Sequence, residues 1–378
     1  MYDAIVTGAG AMGGSTIYHL ASRGLKVLGL DQFKVPHSRG SSHGQTRIIR
    51  LAYFEHPSYV PLLSRAYELW RVLEAEAGAR LLHITGSIDA GQIFKSSLKS
   101  CQLHGLPYEV LTSTELCTRF PAYQLPAETM ALFQPDGGFL VPEACISAYV
   151  DLAKQRGAEV HEEETVLDWC EVADGVEVHT ARTTYTAKKL VVTAGAWLSK
   201  LVPELTRIAV PERQVVAWLQ PLEPGLFTLN NFPVFNLRLE GGHYYGFPEF
   251  GGSGFKLGRY HHRHEAVDPD TTDRDANVTD ERLLRNIAER YFPTGAGPTL
   301  AMETCLFTNT PDEHFILDFL RGSRRVIVGS PCSGHGFKFS SVIGEILADL
   351  VQNGETTHDI SLHRLRRFNH AGLYTASS

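Results

Sequence analysis

The sequence predicts a two-domain α/β protein of the α+β type, and three observations lead to this prediction. The chain has 378 residues, 43% of them hydrophobic and 20% charged, an ordinary globular composition long enough for two domains. Its N-terminus alternates β-prone and helical segments around a glycine turn. Residues 213–262 instead carry short aromatic, β-prone runs broken by Gly and Pro, a pattern typical of an antiparallel meander. We therefore expect a mostly antiparallel sheet beside a domain of alternating strands and helices.

The first element is a glycine-rich turn between a strand and a helix. A short β-prone run leads into Gly8, Gly10 and Gly13, a helical pattern follows, and a second β-prone run ends in Asp31. This order is typical of a Rossmann-like dinucleotide-binding unit, in which the glycines allow a tight turn and close approach of a pyrophosphate. The helix N-terminus stabilises the phosphates and the acid binds a ribose hydroxyl. The motif predicts nucleotide binding but leaves NAD and FAD, and thus an NAD-dependent dehydrogenase, open.

Two later segments resemble further strands of such a domain. Apolar runs occur at 190–197 and 325–329, and the second continues through Gly334, His335 and Gly336 into a helical pattern at 340–351. A strand, a glycine-rich loop and a helix N-terminus form a second device that stabilises anions. One cofactor that touches both ends of the chain would have to be long.

Charge and cysteine use exclude several classes of protein. The chain has 35 Lys and Arg against 42 Asp and Glu, a net charge of −7, whereas nucleic-acid binders are usually basic. No apolar run reaches the length of a membrane helix, and the N-terminus does not read as a signal peptide. The six cysteines form no CxxC pair, so we expect a reduced cytoplasmic protein without a zinc site.

Several long segments resemble one known family, the FAD-dependent amine oxidases typified by monomeric sarcosine oxidase and N-methyltryptophan oxidase. The resemblance covers nearly the whole chain and implies FAD rather than NAD. The segments that carry it are GAGAMG at 8–13, PHSRGSSHGQTRIIRLAY at 36–53, YYGFPEFGGSGFKLG at 244–258, Cys305 with TPDEHFILD at 310–318, and SGHGFKFSSVIGE at 333–345.

The resemblance also implies a discontinuous domain organisation. An FAD-binding domain would be assembled from residues 1–84, 140–212 and 312–378. Residues 85–139 and 213–311 would form a substrate domain whose mostly antiparallel sheet covers the flavin. The composition of residues 213–262 agrees with this assignment.

Oxidation of an amino acid at a flavin requires an anchor for the substrate carboxylate. An Arg side chain suits this role because its planar fork matches a carboxylate. By the resemblance, Arg50 is that anchor, Lys338 is a second carboxylate contact, and Arg47 lies near the flavin edge. His43, in the same stretch as Arg47, is placed with the catalytic residues.

The remaining site residues are also assigned by the resemblance. Lys256 would lie near flavin N5 and activate O2, since a fixed cation stabilises the superoxide formed by the first electron transfer. Cys305 would carry a covalent bond to the flavin, and Tyr245 and His261 would line the substrate cavity. The loop amides around His335 would face the flavin end that becomes negative on reduction.

Two expectations concern the other cysteines and histidines. We expect the five cysteines other than Cys305 to be buried hydrophobic residues. The cluster of His261, His262, His264 and Glu265 suits a solvated turn better than a metal site. No metal ligand is therefore assigned.

The predicted activity is that of an oxidase acting on the C–N bond of a secondary (N-methyl) amino acid such as sarcosine. With O2 it would give an imine, then an aldehyde and an amine, together with H2O2. Phe307, Asn236 and Arg238 depart from the sarcosine oxidase pattern and change the polarity of the pocket roof. The added polar and basic groups, Asn236 and Arg238, lead us to expect a substrate larger or more polar than sarcosine. A cyclic imino acid oxidase or dehydrogenase, acting on pipecolate or proline, is the nearest alternative, and a flavin-binding protein without turnover is the third. We expect a monomer.

Overall fold

The computed structural model describes residues 1–330 and 333–371. Cys332 lies outside the described residues. The strands are β1 (Tyr2–Thr7), β2 (Val27–Leu30), β3 (Arg47–Ile49), β4 (Leu82–Ile84), β5 (Ser87–Gly91), β6 (Glu109–Thr112), β7 (Met130–Gln134), β8 (Gly138–Leu140), β9 (Glu159–His161), β10 (Val166–Val172), β11 (Gly175–Thr180), β12 (Thr184–Val192), β13 (Val210–Leu219), β14 (Val234–Leu239), β15 (Gly242–Phe247), β16 (Phe255–Arg259), β17 (Thr299–Asn309), β18 (Leu317–Phe319) and β19 (Val326–Gly329). The helices are α1 (Ala11–Ser22), α2 (Tyr59–Ala77), α3 (Phe94–His104), α4 (Ser113–Arg119), α5 (Pro142–Gln155), α6 (Leu198–Leu201), α7 (Val278–Tyr291) and α8 (Ser340–Asn353).

The first sheet has a parallel centre. Its order is β10-β11-β12-β1-β2-β9, with β19 also paired to β12 and β18 paired to β19. Strands β12, β1, β2 and β9 run parallel, and helix α1 packs against α5 and α8 beside this sheet. The strand, glycine turn, helix and strand expected at the N-terminus are β1, α1 and β2. The prediction of a Rossmann-like unit is therefore confirmed.

The second sheet covers the segment where we expected a meander. Its order is β17-β13-β16-β15-β14-β5-β7-β6. Among the described residues its neighbouring strands pair antiparallel, except that β14 and β5 are parallel. The side chains on one face, which include Phe235 and Phe255, form an aromatic core with residues of α7. The prediction of a mostly antiparallel sheet is confirmed.

A small sheet of order β3-β8-β4 carries one of the candidate residues. Arg47 begins β3 and pairs with Leu140 of β8. Within the described residues, no helix combines the length and the apolar character that a membrane crossing requires.

Candidate active site

A cavity of about 320 Å³ lies between the two glycine-rich segments that the sequence singled out. Both ends of the described chain contribute to it, as a long cofactor would require. Its lining includes Gly8, Gly10, Asp31, Ser41, Ser42, Arg47, Thr193, Ala194, Leu306, Phe307, Gly334, Gly336 and Phe337.

The glycine turn between β1 and α1 can be built only without side chains at two of its positions. Gly8 has a φ of +88°, in the left-handed region, and a Cβ there would lie 2.6 Å from the carbonyl oxygen of Thr193. A Cβ on Gly13 would lie 1.7 Å from the carbonyl oxygen of Gly8, so α1 packs directly on the turn. Gly10 has open space around its Cβ position and faces the cavity. The turn therefore leaves room for a group that approaches the backbone closely, which fits a pyrophosphate at a helix N-terminus.

Asp31 follows β2 and faces the same cavity. Its carboxylate accepts hydrogen bonds from the backbone N–H groups of Ala9 (2.8 Å) and Phe33 (2.9 Å), and burial raises its pKa. A carboxylate has about four lone-pair sites, so a ribose hydroxyl can still donate to it. The structure shows that Asp31 also fixes the glycine turn, which the sequence did not indicate.

The loop before α8 contributes its backbone to the cavity. Gly334 has a φ of +76°, and the ring of Phe307 lies 2.5 Å from the position of its missing Cβ. The Nε2–H of His335 donates to the carbonyl of Glu313 (2.9 Å), and its Nδ1 accepts from the Tyr53 hydroxyl (2.5 Å). Burial lowers the pKa of His335 to about 4, so the ring is neutral. It therefore holds the loop in place, while Gly334 and Gly336 line the cavity.

One face of the second sheet brings several candidate residues together. Cross-strand partners point to the same face of a sheet. Tyr245 of β15 is the partner of Gly258, which is two residues from Lys256. Gly258 also pairs with Val216 of β13, and Val216 pairs with Glu303 of β17. Cys305 is two residues from Glu303 and therefore lies on the same face. The two-residue period of the strands thus assembles this face, while the alternate side chains enter the aromatic core.

Lys256 is buried, with all three of its donors used. Its ammonium donates to the carbonyl of Gly44 and to the carbonyl and hydroxyl of Thr46 at 3.1 Å each. It also lies 5.1 Å from the ring centroid of Trp218 and 4.7 Å from that of Phe247. Burial lowers its pKa well below the ordinary value. The head group therefore lies behind the segment that leads into Arg47, not in solvent.

Cys305 has two basic side chains near it. Arg47 and Lys256 both act to lower the pKa of its thiol, but burial outweighs them and the net pKa is raised. His43 lies nearby, with its Nδ1 3.3 Å from Glu303 Oε2 and its buried Nε2 without a protein partner. Arg47 donates to the carbonyls of Thr46 (2.8 Å) and Ser41 (2.6 Å).

Arg50 is buried and already paired with acids. One terminal nitrogen is 3.1 and 3.0 Å from the two carboxylate oxygens of Glu55, and the other is 3.6 Å from Asp89 and donates to the carbonyl of Ala52. The guanidinium lies 4.5 Å from the ring centroid of Tyr53. These acids hold the side chain in one orientation.

Lys338 lies in a 3-10 turn, Phe337–Phe339, between the glycine loop and α8. Its ammonium donates to the carbonyl of His335 (2.7 Å) and lies 5.5 Å from the ring centroid of Tyr53. Arg50 and Lys338 therefore approach the same aromatic ring. Sequence reasoning missed Tyr53, although it lies within the segment that carries the family resemblance.

His261 and Tyr260 lie at the edge of this site. Nδ1 of His261 donates to Glu212 (2.9 Å) and Nε2 donates to Glu313 (3.0 Å), and these two acids raise its pKa to about 9. Tyr260 instead packs its ring 5.1 Å from that of Tyr245 and 5.8 Å from that of Phe307, between centroids. Tyr260 thus packs beside candidate site residues and was missed by sequence reasoning.

Two of the three departures from the sarcosine oxidase pattern are buried or face the cavity. Phe307 lines the cavity, and Asn236 is buried and donates to Asp89 (3.1 Å). Arg238 is exposed. Asp89, which also accepts from Ser97 (2.6 Å), was not predicted from the sequence. An acid inside a β-prone run was the available signal.

Comparison with known proteins gives the family. A family model described as DAO, FAD dependent oxidoreductase, matches residues 3–350. The chain is 42% identical to a monomeric sarcosine oxidase of Bacillus sp. (strain NS-129), over 97% of each protein. It is 35% identical to an N-methyl-L-tryptophan oxidase of Yersinia pestis (strain Pestoides F), with 97% of this chain and 99% of that protein covered.

A solved structure agrees with this relationship. NikD, an unusual amino acid oxidase essential for nikkomycin biosynthesis, is 26% identical and superposes with a TM-score of 0.83, over 95% of this chain and 96% of that one. With a glycine cradle that fits the cofactor and a family match over most of its length, this chain belongs to the FAD dependent oxidoreductases.

Proposed function

We propose that the protein is an FAD-dependent oxidase of secondary α-amino acids of the N-methyl class, such as sarcosine. The amine loses two hydrogens to give an imine while O2 gains them as H2O2, and water then hydrolyses the imine to an aldehyde and an amine. The observation that carries this proposal is the meeting of two buried cations, Arg50 and Lys338, at the ring of Tyr53. The names of the two sequence relatives support the N-methyl class.

The residues that would hold FAD are those of the glycine cradle. Gly8, Gly10 and Gly13 would receive the pyrophosphate, Asp31 a ribose, and the backbone of the Gly334 loop the flavin. When bound, FAD supplies a two-electron acceptor that O2 can reoxidise. We also propose a covalent attachment through Cys305.

Arg50 and Lys338 would bind the substrate carboxylate. Both side chains are buried, and charge-assisted hydrogen bonds there are stronger than in water. His335, which is neutral at physiological pH, adds no further charge beside them. The rings of Tyr245 and Tyr260 would form walls that exclude water from the amine. A pocket of this kind favours the neutral amine that the oxidation requires.

The other cations would act in the reaction with O2. Lys256 provides a fixed positive charge whose position does not change during the reaction, which is the property that stabilises developing negative charge. Arg47 and His43 would act beside it as catalytic residues. His261 would line the cavity only at its rim, because two acids hold its ring.

Three further properties are proposals of the same kind. The domain boundaries expected from the sequence are supported by the two sheets, because β1, β2 and β19 belong to one sheet and β13–β17 to the other. A monomer is supported by the printed names of the sarcosine oxidases. A cytoplasmic location agrees with the cysteines of the described chain, which are free thiols.

A substrate panel tests the proposed function. O2 uptake and H2O2 formation would be measured with sarcosine, N-methyl-L-tryptophan, L-pipecolate and the amide of sarcosine, which lacks the carboxylate. We expect sarcosine or a larger N-methyl amino acid to give the highest kcat/KM and the amide to react weakly. Highest kcat/KM with pipecolate would favour the cyclic imino acid alternative. Absence of turnover with every substrate, with flavin bound, would refute the oxidase assignment.

The Arg50→Lys variant tests the carboxylate anchor. A lysine keeps a positive charge between Glu55 and Asp89 but cannot form the paired contact that the guanidinium makes. We expect a higher KM for sarcosine and an unchanged rate for its amide. Arg207→Lys, at an exposed position, is the matched control. Flavin absorbance checks that both variants keep the cofactor.

A further inference from the structure

We propose that the solvent face of strands β10 and β11 is a binding site for a zinc-like divalent cation, with Cys170, Glu177 and His179 as ligands and Asp168 as a fourth. This site lies at the edge of the first sheet and is separate from the oxidase chemistry proposed above. The spacing of the cysteines along the sequence gave no reason to expect a metal, because two strands have to pair before the ligands meet.

The register of the two strands places these four side chains together. Asp168 is the cross-strand partner of His179, and Cys170 is the partner of Glu177. Residues two apart on a strand point to the same face, so the four side chains occupy two neighbouring cross-strand pairs on one face. The intervening Trp169 and Val178 belong to the core on the other face. The ligand face is therefore the one exposed to solvent.

The distances suit a metal ion. Cys170 Sγ lies 3.8 Å from His179 Nε2, and the potential ligand atoms of Cys170, Glu177 and His179 all lie within 4.8 Å of one another. Zinc–sulfur and zinc–nitrogen bonds of about 2.3 and 2.0 Å at a tetrahedral angle separate the two ligand atoms by about 3.5 Å. A carboxylate oxygen of Asp168 is 3.8 Å from the same Nε2. Only small side-chain rotations are needed to close the site.

The imidazole of His179 is oriented as a metal ligand. Its Nδ1 is 2.9 Å from the hydroxyl of Thr184 on the adjacent strand. When Nδ1–H donates to that oxygen, the lone pair lies on Nε2, which faces Cys170 and Asp168. Metal-binding histidines usually have a second-shell partner of this kind, which fixes the ring and the tautomer.

The ligand types indicate which cation binds. A thiolate and an imidazole favour zinc over the hard cations Mg²⁺ and Ca²⁺, which prefer oxygen. On binding, the Cys170 thiol loses its proton to solvent and a sulfur–metal bond forms, without any change in oxidation state. The bound ion would link β10, an edge strand, to β11.

A second group of potential ligands is less suitable. Glu212, His261 and His264 also lie close together. However, both ring nitrogens of His261 already donate to carboxylates, Nδ1 to Glu212 and Nε2 to Glu313. A metal there would have to displace one of these contacts. This cluster therefore serves as a control.

Protection of Cys170 from alkylation tests the proposal. Among the described cysteines, Cys170 is the exposed one, so iodoacetamide modification can be followed at its own peptide by mass spectrometry. The holoenzyme would be treated with and without Zn²⁺. At a free Zn²⁺ concentration about 100 times the dissociation constant, mass action leaves roughly 1% of the site free, so alkylation slows about 100-fold. Mg²⁺ at the same concentration is expected to give no protection.

Variants identify the ligands. We expect His179→Ala and Glu177→Gln to lose most of the protection, and His264→Ala to keep it, with flavin absorbance and oxidase activity unchanged in all three. Failure of Zn²⁺ to slow alkylation of the unmodified protein would overturn the proposal. Equal protection in His179→Ala would also overturn it, because Cys170 would then bind zinc without this site.

Discussion

Two glycines of the first turn, Gly10 and Gly13, should respond differently to the same small substitution. A Cβ on Gly10 meets no atom within 4 Å, and the φ of this residue is −68°, so Gly10→Ala leaves the empty protein unstrained. The same Cβ occupies the space beside the helix N-terminus where we place the FAD pyrophosphate. Loss of one hydrogen bond to a charged phosphate costs about 1.5–3 kcal/mol, or roughly 10- to 150-fold in the dissociation constant of FAD.

Gly13→Ala should act on the fold instead. Its Cβ would lie 1.7 Å from the carbonyl oxygen of Gly8, and such contacts are essentially never below 3.0 Å, so α1 must move away from β1. Overpacking of this kind costs about 1–3 kcal/mol in the free energy of unfolding. Gly10→Ala should change the unfolding free energy of the FAD-free protein by less than about 0.5 kcal/mol.

Both variants can be compared in two assays. FAD binding is measured by quenching of flavin fluorescence in the Cys305→Ser background, where the cofactor can dissociate. Unfolding of the FAD-free protein is followed in urea. Gly225→Ala, which also meets no atom within 4 Å, is the control for an added methyl group. Wild-type FAD affinity in Gly10→Ala, or equal destabilisation by Gly10→Ala and Gly13→Ala, would refute the assigned roles.

Three further predictions concern the flavin bond, oxygen and pH. After acid precipitation, flavin should remain with the pellet in the unmodified protein and in Cys117→Ser, but should appear in the supernatant with Cys305→Ser. Flavin in the supernatant in all three proteins would contradict the covalent bond. Lys256→Met should slow reoxidation by O2 about 10²- to 10³-fold, with little change in anaerobic reduction by the amine; an equal loss in both half-reactions would contradict a role on the oxygen side. Burial lowers the pKa of His19 from 6.5 to about 4, so between these two pH values the unfolded chain binds more protons than the folded protein. The contribution of neutral His19 to the free energy of unfolding is present above pH 6.5 and is lost as the pH falls toward 4, by about 1.4 kcal/mol per pH unit. His19→Gln should flatten this pH dependence of the unfolding free energy, measured from urea unfolding curves.

The parts of the fold that sequence reasoning predicted are local or periodic. The turn at Gly8 depends on neighbouring residues, and the meander depends on alternation within short strands. The parallel pairing of β14 with β5 joins segments that are far apart in the sequence. Such pairing depends on the packing of the whole domain, so no local pattern indicates it.

The environment of the candidate residues was harder to predict than their identity. The sequence indicated Arg50 as a carboxylate anchor, but it could not show which acids surround it. Glu55 is five residues away, whereas Asp89 comes from another strand. The placement of Tyr260 beside the cavity, with His261 turned to two acids, depends on a backbone with a positive φ at His261.

The expectation that the cysteines other than Cys305 are buried is confirmed for Cys101 and Cys145, but Cys117 is only partly buried and the expectation was wrong for Cys170, which is exposed. That expectation used only the average burial of the residue type. In β10 the alternation with Trp169, which packs on the core, places Cys170 on the solvent face. Strand periodicity was therefore the better guide, and it also places Asp168 beside the thiol.

The acids around Arg50 bear on how the proposed carboxylate site would work. Arg50 is paired with Glu55 and lies 3.6 Å from Asp89, and burial raises the pKa of Asp89. A substrate carboxylate bound there would add negative charge beside these acids. If the substrate carboxylate binds Arg50 as proposed, it would compete with one of these acids for the guanidinium. The side chain of Glu55 is 11% exposed and that of Asp89 1%, with Asp89 further held by Asn236. Water can replace the contacts of Glu55 more easily, so we expect Glu55 to be the acid that yields to a substrate carboxylate while Asp89 keeps the guanidinium in position.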